Sequence, residues 1–184
     1  ATDPAGVNAW RKANGLKEIQ VVAPAAVDPS KLTIAGVVFQ DDQFMKTMVQ
    51  GYTDAGAKYG IKVLTANTNN DQAKETELIQ TYMAQGVSGI AIAPLSKDAS
   101  IANLKQAADK GIKIAITNMS INDTSFLAGG YTSDDATNGK VVGDNAAKFI
   151  QANVTGAVNV ARVDFDDQVP EQSKARWGGF FAGL

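Results

Sequence analysis

The sequence predicts an α/β fold, a doubly wound parallel sheet, and three observations carry that prediction. Compact β-branched and apolar runs recur along the chain, and a helical stretch separates most of them from the next. Gly60, Gly86 and Gly111 each stand just past a helical run, where a left-handed residue closes a helix. Repeated units of this kind form mostly parallel sheets with helices on both faces, and ligands bind beyond the carboxyl ends of the strands.

The elements follow in order. Asp3-Pro4 has the form of an N-cap and first helical position, and Asn14-Gly15 that of a C-cap, so a short helix is expected over residues 4–13. Residues 20–30, rich in Ala, Val and Pro, read as an extended arm. Strands are expected over 33–39, 61–65, 89–93, 112–117 and 126–131, and the first run, Thr33 to Phe39, suits a strand buried on both faces. Helices are expected over 42–59, 71–85 and 98–110. Beyond the fifth strand come a helix over 135–151, a strand-like run over 157–163, and a helix from Val169 to Leu184 with Pro170 in its first turn. One strand with its helix cannot enclose a core. The expected organisation is therefore an N-terminal helix and arm (1–30), one complete lobe (31–134), and the truncated start of a second lobe (135–184).

Composition removes several functions. The 184 residues contain 17 Lys and Arg against 19 Asp and Glu, and a net charge of −2 gives no electrostatic pull toward nucleic acid or an anionic membrane. With no Cys and no His, thiol nucleophiles, imidazole or thiolate metal sites, disulfides and the usual neutral-pH acid–base group are all missing. No catalytic residue, cofactor or metal is expected. A cysteine-free chain is compatible with an oxidising compartment. No apolar run approaches the ~18 residues of a membrane span, and Ala1-Thr2-Asp3-Pro4 has neither the basic start nor the apolar core of an export signal, so any such signal is expected to be already absent.

The loop after the first strand, Phe39-Gln40-Asp41-Asp42-Gln43-Phe44, concentrates acids, amides and aromatic rings at a carboxyl end. It lacks the glycines of a dinucleotide or phosphate loop. Two acids after a first strand also suit a phospho-acceptor domain, but that plan needs an aspartate after the third strand, where Ala93-Pro94-Leu95 stands. Adjacent acids do not face each other across a glycosidic bond. One of them suits the cap of the following helix, and Phe44 and Met45 suit its inner face. The whole set suits a neutral polyhydroxy ligand, whose hydroxyls meet carboxylates and amides while its C–H faces lie on rings. Asp42 is favoured for ligand contact. Asn118, after the fourth strand, reads either as a ligand contact or as a turn former, and Ser133-Asp134 as an edge pair or an N-cap. Arg176 is a further candidate, with a solvated surface residue as its alternative.

The order of these features resembles the type I periplasmic solute-binding proteins of ABC transporters, in the branch of the ribose- and galactose-binding proteins. The resemblance runs from Lys31 to Leu184. It rests on Thr33-Ile34-Ala35-Gly36-Val37-Val38, on Gly51 and Ala55 to Gly60, on Asn69-Asn70 with Ala73-Lys74-Glu75, and on Gly86-Val87 to Ala93-Pro94. It continues through Gly111-Ile112-Lys113-Ile114, Ser133-Asp134 with Gly139 to Gly143, and Arg176-Trp177-Gly178-Gly179-Phe180. It implies two Rossmann-like lobes closing on one sugar-like ligand, which is then delivered to a membrane permease. It places first-loop ligand contacts on Phe39 to Phe44, another on Asn118, a second-lobe arginine on Arg176, and the hinge near Ser133 and Asp134. Ribose binders commonly carry Asp-Arg after the fourth strand, whereas this chain has Asn118-Met119, which points to another sugar or a sugar alcohol. The resemblance further implies a periplasmic location, a monomer, no catalysis, and a second lobe that continues past Leu184, so these residues alone are expected to bind weakly or not at all. The alternative is the effector domain of a repressor-like regulator, which needs a DNA-binding helix-turn-helix before the first strand. Residues 1–30 offer only one short helix and an arm. An enzyme using Asp41 or Asp42 as base or metal ligand is least favoured, because no second acid or His completes such a site.

Overall fold

The fold is described from a computed structural model, which covers residues 12–13, 27–167 and 169–184. The helix expected over 4–13 lies outside these residues except for Lys12 and Ala13, which are helical, and the arm is described only from Val27. Asp28 caps a single 3-10 turn, Pro29–Lys31, before the sheet begins.

Five parallel strands form the sheet in the order β2-β1-β3-β4-β5: β1 (Thr33–Val38), β2 (Lys62–Asn67), β3 (Gly89–Ile92), β4 (Lys113–Asn118) and β5 (Gly129–Thr132). The crossovers are α1 (Gln43–Tyr59), α2 (Gln72–Gln85) and α3 (Ile101–Asp109). The strand order reverses between β1 and β3, which places a crevice at their carboxyl ends. Gly60 and Gly86 close α1 and α2 with φ of 70° and 67°, as their positions in the sequence require.

Alternation along the strands divides the core between the two faces. Ala35, Val37, Ile90, Ile92, Ile114 and Ile116 face α2 and α3, where Ile79, Tyr82, Leu104 and Ala107 complete a closely packed cluster. The opposite face carries smaller residues and receives α1 through Met45, Met48, Val49 and Tyr52. There the Tyr52 ring lies directly over Gly36: a β-carbon at residue 36 would stand 2.5 Å from its Cδ2. The Tyr52 hydroxyl reaches Thr117 Oγ1 at 2.6 Å, which ties α1 to β4 across the sheet.

After β5 the chain forms α4 (Asp135–Asn153) and, after an irregular stretch, α5 (Pro170–Gly183). These two helices pack on each other with almost no side chain between them. A β-carbon on Gly139 would lie 1.9 Å from the Arg176 carbonyl oxygen, and one on Gly179 would lie 2.0 Å from that of Ala136. Only glycine admits so close an approach of two backbones.

Three expectations change. The strand expected over 157–163 does not form: these residues have no regular structure and are exposed. Val158 and Val160 supply β-branched character, but no strand among the described residues lies beside them, and an unpaired strand leaves its backbone without a ladder. β5 starts at Gly129 rather than Phe126, because residues 124–127 form a turn closed by the Leu127 amide on the Thr124 carbonyl at 3.2 Å. Residues 98–100 form a turn ahead of α3, with the Ser96 hydroxyl accepting from the amides of Asp98 and Ala99.

Candidate ligand-binding site

At the carboxyl edge of the sheet a cleft of about 130 Å³ opens between the strand ends and the first turn of α5. Phe39, immediately after β1, supplies an apolar wall and is itself 97% buried, being 3% exposed. Pro94, Leu95 and Ser96 after β3 supply a second wall, Asn118 and Met119 at the end of β4 a third, and residues 169–172 close the cleft from α5. Its volume is below the ~300 Å³ at which drug-sized pockets begin, so it fits a compact ligand.

Backbone conformation is unusual along this edge. Asn69, Asn70 and Asn118 all adopt left-handed φ, at 54°, 60° and 68°. Asparagine enters that region more easily than most residues, but the conformation still carries strain, which concentrates at functional sites. At Asn118 it produces a tight turn, in which the Met119 amide donates to the Thr117 carbonyl at 2.8 Å. The Asn118 carbonyl then accepts from Gln172 Nε2 at 3.4 Å. A further bond, from Asn122 Nδ2 to Asp98 Oδ1 at 2.8 Å, joins the loop after β4 to the loop after β3.

The six residues of the first loop separate. Of these, only Phe39 lines the cleft. Asp42 caps α1, its Oδ1 accepting from the Met45 amide at 2.7 Å and its Oδ2 from the Gln40 amide group. The cap thus falls on the acid favoured for ligand contact, because Asp42 stands one residue before the first helical residue, where its carboxylate meets the orphan N–H groups. Asp41 pairs with Lys46 at 3.2 Å and, with Gln40, faces a groove on the outer flank between α1 and β2. Gln43 is exposed, and so is Phe44 at 60%, whereas Met45 takes the inner face of the helix.

Arg176 stands away from Asn118. Its Nε donates to Asp135 Oδ1 at 2.9 Å, and it lines a separate apolar cavity of about 350 Å³ with Phe165, Trp177 and Phe180. Val169 borders both cavities, so they adjoin. Ser133 and Asp134 lie where the chain leaves β5 for α4. Asp134 caps that helix, accepting from the Thr137 amide at 3.0 Å and its hydroxyl at 2.6 Å, and these bonds hold its carboxyl below the usual range.

Of the residues lining the cleft, sequence reading named Phe39 and Asn118 and missed the rest, among them the polar Ser96, Glu171 and Gln172. Glu171 is chemically the most pointed, since its Oε2 is buried and has no hydrogen-bond partner among the described residues. Pro170 marks a helix start in the sequence, which places Glu171 and Gln172 in a first turn. Nothing local says that this turn meets the end of β4. Among the described residues no group of three or more His, Cys, Asp or Glu side chains could hold a metal ion, and no helix is long and apolar enough to cross a membrane.

Known proteins share this architecture. Among curated relatives, the ABC transporter periplasmic-binding protein YphF of Escherichia coli K12 is 24% identical over 139 residues, covering 73% of this chain and 42% of the relative. The galactofuranose-binding protein YtfQ of the same organism is 29% identical over 105 residues, 56% of this chain and 33% of the relative. The crystal structure of an ABC transporter solute-binding protein from Bacillus halodurans C-125 with bound myo-inositol superposes with a TM-score of 0.74 at 18% identity, over 85% of this chain and 53% of that one. This chain spans about half the length of such structures, and less of the curated relatives. The family model described as a periplasmic binding protein domain matches residues 36–175, and the chain belongs to that family.

Proposed function

We propose that this chain carries the ligand-binding cleft of a substrate-binding component of an ABC importer, which takes a monosaccharide or sugar alcohol in the periplasm and presents it to a membrane permease without chemical change. The observation that carries this reading is the cleft itself, which sets the apolar Phe39 beside the polar Ser96, Asn118, Glu171 and Gln172 at the carboxyl edge of the sheet. Hydroxyls, amides and an acid gathered in this way suit a ligand whose own hydroxyls both donate and accept. Phe39 offers an apolar surface for the C–H face of the same ligand. The acid also disfavours sugar acids and sugar phosphates through like-charge repulsion. The family relatives named for galactofuranose and crystallised with myo-inositol support the ligand class. In this reading residues 31–134 form one lobe, 135–184 begin a second, Ser133 and Asp134 are the hinge, and the protein acts as a monomer. Of the expected contacts, Phe39 and Asn118 line the cleft and Arg176 borders the adjoining cavity, whereas Asp42 serves as the α1 cap and Gln40, Asp41, Gln43 and Phe44 lie outside the cleft.

Calorimetric titration of the full-length protein against myo-inositol, D-allose and galactofuranose tests this reading, with galacturonate as the anionic control. At least one neutral ligand is expected to bind, and Glu171→Ala to weaken it by about tenfold or more, as loss of a hydrogen bond to a charged group does. Silence across all neutral carbohydrates would sink the proposal.

A further inference from the structure

Glu75 lies in the first turn of α2 and is fully buried, yet it does not line the cleft. It makes no ion pair with Lys or Arg among the described residues. Both its oxygens are engaged: Oε2 accepts from the Leu95 amide at 2.9 Å and Oε1 from Gln72 Nε2 at 2.8 Å. Taking a carboxylate out of water costs several kcal/mol unless such bonds compensate. Helix capping does not require the burial, since Asp71 already caps α2 through the amides of Ala73 and Lys74.

The reason for the acid lies in the segment it holds. The β3 ladder ends where the Ala93 amide donates to the Val37 carbonyl, and Pro94, fully buried, has no N–H to offer. Leu95 therefore carries the first amide past the sheet, with no strand neighbour to accept from it. Glu75 accepts from it instead, from behind the loop. The far end of the segment is fixed independently, with the Ser96 amide donating to the buried Ser100 hydroxyl at 3.3 Å. The two anchored amides belong to neighbouring residues of the cleft wall, which Pro94 precedes.

We propose that Glu75 is a positioning residue, which acts through the Leu95 amide to hold the 94–96 wall in the geometry that receives ligand. The consequence for affinity rests on the proposed function, whereas the consequence for the loop does not. A leucine at residue 75 would fill the space but leave the Leu95 amide without an acceptor. A glutamine keeps one oxygen for Leu95, while the Gln72 amide turns to accept from the new NH₂ group.

The test uses Glu75→Gln and Glu75→Leu in the full-length protein, with amide hydrogen exchange measured without ligand and titration with myo-inositol, D-allose and galactofuranose below the unfolding temperature. Glu75→Gln is expected to keep Leu95 protection and affinity within about threefold of wild type. Glu75→Leu is expected to raise exchange at Leu95 by about tenfold or more while Ile90 and Ile92 stay protected, and to weaken binding by about tenfold, the effect of one lost charged hydrogen bond. Unchanged exchange at Leu95 in Glu75→Leu, or a uniform loss across the sheet, overturns the proposal. So does unchanged affinity when Leu95 is released. If Glu75→Leu does not fold, the wild-type protein decides: a scalar coupling between the Leu95 amide nitrogen and the Glu75 carboxyl carbon is expected, and its absence overturns the assignment. Failure of wild type to bind any of these probes counts against the proposed function alone, because the exchange and coupling measurements still judge Glu75.

Discussion

The sheet and the α4–α5 pair solve the same packing problem in opposite ways. In the sheet, Ile90, Ile92 and Ile114 are buried between strands and helices, and the elements stand a side chain apart. In the helix pair, backbones touch at Gly139 and Gly179, while Val141, Val142, Phe149 and Phe181 remain exposed. The first arrangement draws its stability from apolar area removed from water. The second draws on close backbone contact along one stripe and leaves its apolar flanks uncovered. Cooperative stability is thus expected to reside in residues 33–132, with the helix pair opening first.

The largest test of that difference is Ile114→Ala, which is expected to destabilise the sheet by ~2–5 kcal/mol through the cavity it leaves. Chemical denaturation followed by far-ultraviolet circular dichroism measures it. Next, Gly179→Ala is expected to cost ~1–3 kcal/mol by overpacking, and to act only on the helix pair. With Trp10 replaced by phenylalanine, Trp177, in edge contact with Phe180 at 5.2 Å, is the reporter, and its fluorescence transition should move to lower denaturant while the sheet's transition stays in place. If both signals shift together in both variants, the two regions unfold as one unit and the contrast breaks down. A smaller effect is expected from Asp42→Ala, about 1 kcal/mol from loss of the α1 cap, largely restored by Asp42→Asn.

The smallest effect concerns pH. Hydrogen bonds from the Ser125 hydroxyl and amide, with a lesser contribution from Lys105, hold the Asp123 carboxyl down to about 2 from its ordinary 3.8. A carboxyl depressed on folding stabilises the fold above its unfolded value, and that contribution is lost as pH falls from about 3.8 toward 2. A carbon-detected NMR titration should show Asp123 titrating near 2, and Ser125→Ala should return it toward the ordinary value. Because Asp123 lies in the loop between β4 and β5, Ser125→Ala should change the acid dependence of the sheet transition and leave unchanged that of the Trp177 signal, to which the Asp134 cap of α4 contributes.

Much of the sheet was legible because β2, β3 and β4 each follow a helical run and a closing glycine, Gly60, Gly86 and Gly111. The α1 cap was legible as a choice between two acids, and the choice turned on a single residue of register, which places Asp42 rather than Asp41 against the Met45 amide. The strand expected over 157–163 shows the limit: β-branched residues state a preference, but a partner strand decides it. The cleft divides along the same line. Phe39 and Asn118 announce themselves by following strands, whereas Glu171 and Gln172 enter because the chain returns to the end of β4 after more than fifty residues, a long-range contact with no local signal.

The hydrogen bond from Gln172 to the Asn118 carbonyl is long, at 3.4 Å, and among the described residues it is the one side-chain hydrogen bond joining the sheet to α5. A contact of that length contributes little more than thermal energy. The angle between sheet and helix pair is therefore a soft coordinate: a ligand that bonds both Asn118 and Glu171 adds stiffness to it as well as affinity. Occupancy of the cleft would then be readable from a distance, as a narrowing in the distribution of that angle.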